Sequence, residues 1–74
     1  MSIEELLNDR VFTTRILSEM LDKNEWILDY TPTLFFDRIR INIYNVRYQT
    51  FYKKEIRIHE ITDYLLGRYN LNLE

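Results

Sequence analysis

The chain has 74 residues, of which 46% are hydrophobic and 15% aromatic, with one glycine, one proline and no cysteine. This length allows one domain, and a core of this size supplies only about 3–5 kcal/mol, so small chains often add a disulfide, a metal or a second subunit. The lack of cysteine excludes disulfides and thiolate metal sites, and His59 is the single histidine. We therefore predict one domain over residues 1–74 without cofactor or metal. A homodimer fits these totals as well as a monomer does.

The beginning of the sequence carries no pattern of a secretion signal. Glu4, Glu5 and Asp9 stand where such a signal has basic residues. No apolar run exceeds three residues, whereas roughly 20 are needed to span a bilayer. We expect no membrane association and a cytoplasmic location. The absence of alanine beside abundant Ile, Asn and Tyr is typical of an AT-rich genome, as in phages, viruses and low-GC bacteria, and a phage or viral protein would act in the host cytoplasm.

Helical spacing marks the first third of the chain. Ser2 and Glu5 form the S-x-x-E pattern of a capping box, and apolar residues follow in steps of three and four. The apolar stripe changes side after Asn8. The pattern therefore predicts either one helix over about 2–23 or two short helices that meet near Asn8.

The middle of the chain is predicted to form an antiparallel hairpin. Residues 38–44 alternate strictly between polar and apolar side chains, which is typical of a half-buried strand. Aromatic and branched residues at 25–30 indicate a strand that precedes it. We expect strands at 25–30 and 34–44, joined by a turn at Thr31–Thr33 with Pro32 in its second position.

The remaining segments complete an α+β fold. The alternation changes phase after Asn45, which a bulge or a turn would explain, and residues 46–52 are predicted as a third strand or a helical segment. Residues 53–55 look like a solvated connection. A helix is predicted at about 58–69, followed by residues 70–74 that fray or add a short edge strand.

Groups that could carry out catalysis are scarce. Of the two serines, Ser2 is explained as a helix cap, and Ser18 lacks the flanking glycines of a nucleophile elbow. His59 is expected on the surface near the start of the last helix. The single glycine, Gly67, excludes a glycine-rich phosphate loop. We expect no enzymatic activity.

Charge is segregated along the chain. Residues 1–37 carry three basic and eight acidic residues, a net charge of −5. Residues 38–57 carry six basic residues and one acidic residue, a net charge of +5, and residues 58–74 carry −2. A basic, aromatic middle segment therefore lies between two acidic ones.

Strand alternation predicts which side chains of the basic segment are exposed. If the isoleucines of 38–44 face the core, then Arg38, Arg40, Asn42 and Tyr44 share the opposite face. Arginine and tyrosine are enriched at the energetic centres of protein interfaces, and they also contact single-stranded nucleic acid. The predicted binding residues are Trp26, Arg38, Arg40, Tyr44, Arg47, Tyr48, Tyr52, Lys53 and Lys54, with Phe51 as an extension of the same surface.

Three functional hypotheses follow. The first is a small non-enzymatic regulatory protein that binds a larger protein, such as a phage- or virus-encoded modulator of a host protein. The second is a nucleic-acid-binding module that uses residues 38–57, although the pI of about 5.4 argues against duplex DNA. The third is a structural subunit of an assembly. The segregated charges also suit a homodimer in which the basic strand of one copy meets the acidic helix of the other.

Overall fold

The computed structural model describes residues 2–35 and 37–73, and it has the predicted α+β architecture. The elements are α1 (Ile3–Asn8), α2 (Arg10–Met20), β1 (Glu25–Pro32), β2 (Arg38–Asn45), β3 (Thr50–Arg57) and α3 (Ile58–Tyr69). The strands form one antiparallel sheet in the order β1-β2-β3.

The N-terminal region forms two short helices, as one of the two predicted alternatives has it. The Ser2 hydroxyl accepts a hydrogen bond from the Glu5 amide at 3.2 Å, which confirms the cap. Asp9 ends α1 through its own amide, and its carboxylate accepts a hydrogen bond from the Phe12 amide at 3.2 Å to begin α2. α2 ends at Met20, so the predicted end at residue 23 was too late.

The first hairpin is longer and its connection lies further along the chain than predicted. β1 continues to Pro32, which pairs with Ile39, so the predicted turn at Thr31–Thr33 was wrong. Proline is tolerated there because β1 is an edge strand that can do without one amide donor. Correspondingly β2 begins at Arg38 rather than at residue 34. Phe36, which fell within the predicted strand, lies outside the described residues.

A turn separates β2 from β3. The side-chain carbonyl of Asn45 accepts hydrogen bonds from the amides of Arg47 and Tyr48, both at 3.0 Å. Gln49 completes the turn in the left-handed conformation, with φ of 53°. The predicted strand at 46–52 was therefore placed too early, and the phase change after Asn45 reflects a turn.

β3 includes the residues that were predicted as a solvated connection. Lys53, Lys54 and Glu55 all lie within this strand, so that prediction was wrong. Lys54 occupies a position whose side chain faces the helices, opposite Ile41. Because the inward residue Lys54 is charged, the sequence of β3 does not show the alternation of polar and apolar residues. The Lys54 ammonium pairs with the buried carboxylate of Glu25.

All three helices pack on one face of the sheet, here called the inner face. The buried apolar side chains between the two layers come from every element except β3. They are Leu6, Leu7, Ile16, Leu17, Tyr30, Ile39, Ile41, Ile43, Ile61 and Leu65. α3 spans the predicted residues and ends in Asn70, which is left-handed at φ of 53°. Residues 70–73 form no strand; instead the Leu71 amide donates a hydrogen bond to the Leu65 carbonyl at 3.1 Å, and Leu73 packs against the core.

Within the described residues, no helix combines the length and apolarity needed to cross a membrane.

A carboxylate joins the two long helices. Glu19 of α2 accepts hydrogen bonds from the hydroxyls of Tyr64 and Tyr69 of α3, at 2.7 and 2.6 Å, and Arg15 lies 3.5 Å away. The hydrogen bonds from Tyr69 and Tyr64, helped by Arg15, lower the pKa of Glu19 below its ordinary value of 4.5. The carboxylate is therefore more stable in the folded protein than in the unfolded chain.

Acidification is expected to remove the contribution of this contact to stability. Because the folded-state pKa of Glu19 is lowered, the contribution is complete above the ordinary pKa and is lost as pH falls through the folded-state value. The urea midpoints of wild type and Glu19→Gln should therefore differ at neutral pH and converge in acid. The double variant Tyr64→Phe/Tyr69→Phe should behave as Glu19→Gln does. A difference that stays constant with pH would contradict this role.

Candidate functional site

The face of the sheet opposite the helices, here called the open face, has no covering element among residues 2–35 and 37–73. Strand alternation and register assign its side chains, because residues paired across an antiparallel ladder point to the same side. They are Trp26, Asp29 and Thr31 from β1; Arg38, Arg40, Asn42 and Tyr44 from β2; and Phe51, Lys53, Glu55 and Arg57 from β3. Leu28 of β1, which has no register partner, joins them because it lines a depression with Asp29 and Phe51.

Three aromatic side chains form a row across the open face. Tyr44 of β2 pairs with Trp26 on one side and with Phe51 on the other. The Tyr44 and Phe51 rings lie 4.7 Å apart between centroids, at an angle of 45°. Trp26 is 60% exposed and Phe51 is 73% exposed. Since each large aromatic can bury about 150–250 Å², this row leaves a substantial apolar surface in water.

A β-bulge enlarges the apolar surface. The register of β1 shifts between Ile27 and Asp29, which makes Leu28 an extra residue in the strand. Leu28 is 58% exposed and, with Phe51, lines a shallow depression of about 330 Å³ next to the aromatic row. The bulge therefore places an aliphatic side chain beside the rings.

The next row of the open face is polar and carries opposite charges at its two ends. Asp29, Asn42 and Lys53 lie side by side on β1, β2 and β3. The Asn42 side-chain amide donates a hydrogen bond to the Asp29 carboxylate. Among the described residues, Lys53 has no ion-pair partner.

The far end of the open face is an ion-pair cluster. Arg40 contacts the Glu55 carboxylate through two nitrogens at 3.1 and 3.2 Å, and Arg38 contacts it at 3.3 Å. The hydrogen bonds from Arg40 and then Arg38 hold the pKa of Glu55 below its ordinary value. Arg38 and Arg40 thus share the open face with Tyr44, and both contact a carboxylate.

Tyr52 and Lys54 lie on the inner face, apart from the other predicted binding residues. Both contact Glu25, whose side chain is only 3% exposed: the Tyr52 hydroxyl donates at 2.6 Å and the Lys54 ammonium lies 2.7 Å away. Burial raises the pKa of Glu25, but the hydrogen bonds from Lys54, Tyr52 and the Asp22 amide outweigh it and leave the pKa lowered. These two residues serve the inner face rather than the exposed surface.

Arg47 and Tyr48 lie in the turn that borders the aromatic row. The Arg47 guanidinium lies over the Tyr48 ring, 5.4 Å from its centroid, and the ring is exposed. The open-face pair next to this turn is Tyr44 and Phe51, and both belong to the aromatic row. The turn therefore adds a cation and a ring to the aromatic end of the sheet.

Sequence reasoning did not single out Leu28 or Asp29. A signal for the bulge would be that Ile27 and Tyr30, three residues apart, both face the helices. That signal depends on the burial of Tyr30, whose hydroxyl donates to the Leu7 carbonyl at 2.8 Å. This contact joins residues 23 positions apart, so no local pattern reveals it.

The chemistry of the open face is that of a contact surface. Its groups are exposed rings, one aliphatic side chain, a row of polar side chains and an arginine-rich cluster around Glu55. Within the described residues, no three His, Cys, Asp or Glu side chains come together as a metal site would require. Comparison with protein-family models, with curated proteins and with solved structures found no match for this chain.

Proposed function

We propose that this chain is a small non-enzymatic interaction protein that binds a larger protein through the open face of its sheet. The observation that supports this most is the row of Trp26, Tyr44 and Phe51 on an uncovered face. Exposed apolar patches of a few hundred Å² on a small chain are typical of protein-binding sites. Trp, Tyr and Arg are the residues that dominate binding energy in such sites.

The arrangement of polar groups also favours a protein partner. The rings and Leu28 form an apolar patch at one end of the open face, and charged side chains lie toward the other end. This resembles the apolar core and polar rim of protein interfaces. Charged groups that already pair with one another, such as Arg40 with Glu55, are suited to such a rim because they need no partner from the other protein.

Alanine variants of the aromatic row test this function. Trp26→Ala and Phe51→Ala are expected to weaken partner binding about 30-fold or more each, since truncation of a central interface anchor removes at least about 2 kcal/mol. Val11→Ala on α2 and Leu66→Ala on α3 serve as matched controls, because both side chains are exposed but lie outside the open face. The measurement is quantitative capture of partners from an extract of the source organism.

Site-specific cross-linking tests which surface of the chain contacts the captured protein. A benzophenone amino acid in place of Phe51 is expected to cross-link to the captured protein, whereas the same amino acid in place of Leu66 is not. Capture that survives both aromatic substitutions, or cross-links from position 66 alone, would refute the proposed surface.

Single-stranded nucleic acid is a second candidate ligand for the same face. In its favour, the row of rings could stack on bases while Arg47 and Lys53 contact phosphates. Against it, Arg38 and Arg40 share the Glu55 carboxylate, and Arg38 also lies 3.8 Å from Asp37, so both are less able to bind phosphate. Nuclease treatment during the capture separates the two candidates, because only nucleic-acid-bridged partners are lost.

A further inference from the structure

We infer that a second copy of this chain docks on the open face, so that two sheets pack face to face about a twofold axis parallel to the strands. This inference rests on the proposed function in that it assigns the same face to protein contact. Two sheets pack at about 10 Å with their strands at about 30°, and a dimer of this kind would have four layers in the order helix, sheet, sheet, helix.

The register of the sheet determines what such an axis brings together. Rotation about an axis along β2 sets β1 over β3 of the partner and β2 over its own copy, while each row keeps its level along the strands. Trp26 then lies over Phe51 of the second copy, and Tyr44 lies over its own equivalent. The aromatic row is thus covered by rings.

The polar row provides a second, independent match. Across the sheet, the charge of this row is negative at Asp29, neutral at Asn42 and positive at Lys53. The same rotation places Asp29 opposite Lys53 of the second copy and Lys53 opposite Asp29, so two ion pairs form from one symmetry operation. Lys53, which has no ion-pair partner among the described residues of its own chain, gains one.

The other in-plane twofold axis gives a poorer match. An axis perpendicular to the strands reverses the level of the rows and lays the aromatic row over the end that holds Arg38 and Arg57. That arrangement would leave the aromatic row without apolar cover, so the apolar burial that favours association would be lost. The parallel axis sets Arg40 over its own equivalent, and each copy of Arg40 keeps its Glu55 counter-ion.

The size of the face indicates a dimer that exchanges readily. Three strands of eight residues present a surface about 14 Å wide and about 26 Å long. Two such faces bury less than the roughly 1,200 Å² of stable interfaces, as transient complexes do, so we expect a dissociation constant on the order of micromolar or weaker. A larger protein that binds the aromatic row would displace the second copy.

Charge reversal at the polar row tests the geometry. Asp29→Lys places two lysines opposite each other at both contacts, and Lys53→Asp does the same with two aspartates. Each variant alone is expected to raise the dimer dissociation constant about tenfold or more. An equimolar mixture of the two variants restores both ion pairs, and a heterodimer is expected. Lys23→Asp, an exposed charge reversal outside the open face, is the control and should dimerise as wild type does.

The measurement is sedimentation velocity over a concentration series, with far-UV circular dichroism to verify the fold of each variant. A dimeric wild type, monomeric single variants and a dimeric mixture support the inference. A monomeric wild type, single variants that dimerise unchanged, or a mixture that stays monomeric overturns it. A monomeric wild type whose partner capture still depends on Trp26 and Phe51 refutes self-association and leaves the proposed function intact. A dimeric wild type whose partner capture does not depend on Trp26 and Phe51 refutes the proposed function and leaves self-association intact.

Discussion

Replacement of Ile41 by alanine is expected to leave much of the protein unfolded at physiological temperature. Ile41 lies at the centre of β2, is fully buried, and belongs to the single core between the sheet and the helices. Truncation of a buried isoleucine to alanine removes about 2–5 kcal/mol, through lost transfer energy and an unfilled cavity. A core of this size supplies only about 3–5 kcal/mol in total, so one such change consumes most of it.

Urea unfolding followed by far-UV circular dichroism measures this effect. Circular dichroism is the suitable probe because Trp26 is largely exposed in the folded state and its fluorescence would report unfolding poorly. Ile41→Val is the matched control and should cost only about 0.5–1.5 kcal/mol, since it removes one methylene. A stability of Ile41→Ala within about 1 kcal/mol of wild type would show that the site collapses around the smaller side chain.

The sequence predicted the elements better than their boundaries because local patterns carry element type. Ile39, Ile41 and Ile43 alternate without interruption, and this alone identified β2 and its inward face. The change of side of the apolar stripe after Asn8 allowed one helix or two, and the structure has the break at Asp9. Both features depend on neighbours along the chain.

The errors share a different cause, which is contact between distant residues. Lys54 reads as part of a polar connection because its partner, the buried Glu25 that takes up its charge, lies 29 residues earlier. Likewise, Pro32 is typical of a turn, and only the pairing with Ile39 shows that it ends an edge strand.

For the same reason, only part of the candidate surface could be predicted from the sequence. Alternation in β2 gave Arg38, Arg40 and Tyr44 a common face, as the structure has them. The alignment of Tyr44 with Trp26 and Phe51 depends instead on the bulge at Leu28 and on the length of the turn after Asn45. Register across strands is a product of such details, and no local period encodes it.

Removal of Lys54 is expected to destabilise the protein more than neutralisation of its partner, Glu25. Lys54→Met leaves a carboxylate that is 3% exposed without its counter-ion, and we expect a loss of about 2–3 kcal/mol. This is less than for a fully buried pair because Lys54 is 46% exposed, so the pair is partly screened by solvent. Glu25→Gln leaves only a half-exposed ammonium, which water can solvate, and should cost about 1–2 kcal/mol.

The pH dependence distinguishes this mechanism from simple loss of packing. In the wild type the pKa of Glu25 is lowered, because Lys54, Tyr52 and the Asp22 amide together outweigh the effect of burial. Without Lys54 the effect of burial is less opposed, so protonation of Glu25 becomes easier in the folded protein and relieves the unpaired charge. The urea midpoints of Lys54→Met and wild type should therefore approach each other as pH falls toward the ordinary carboxyl value of 4.5. A gap that does not narrow would mean that the lysine stem, rather than its charge, stabilises the sheet.

The contacts of Glu25 with Lys54 and Tyr52 connect the inner face to the open face. In their strands Glu25 is next to Trp26 and Tyr52 is next to Phe51. The contact that holds Glu25 and Tyr52 under the helices therefore also orients the two rings outward. We therefore expect Lys54→Met to weaken the contacts of the open face in proportion to its loss of stability, whereas Asp29→Lys weakens them without such a loss. A Lys54→Met protein that is destabilised but retains full affinity at the open face would show that the two faces are independent.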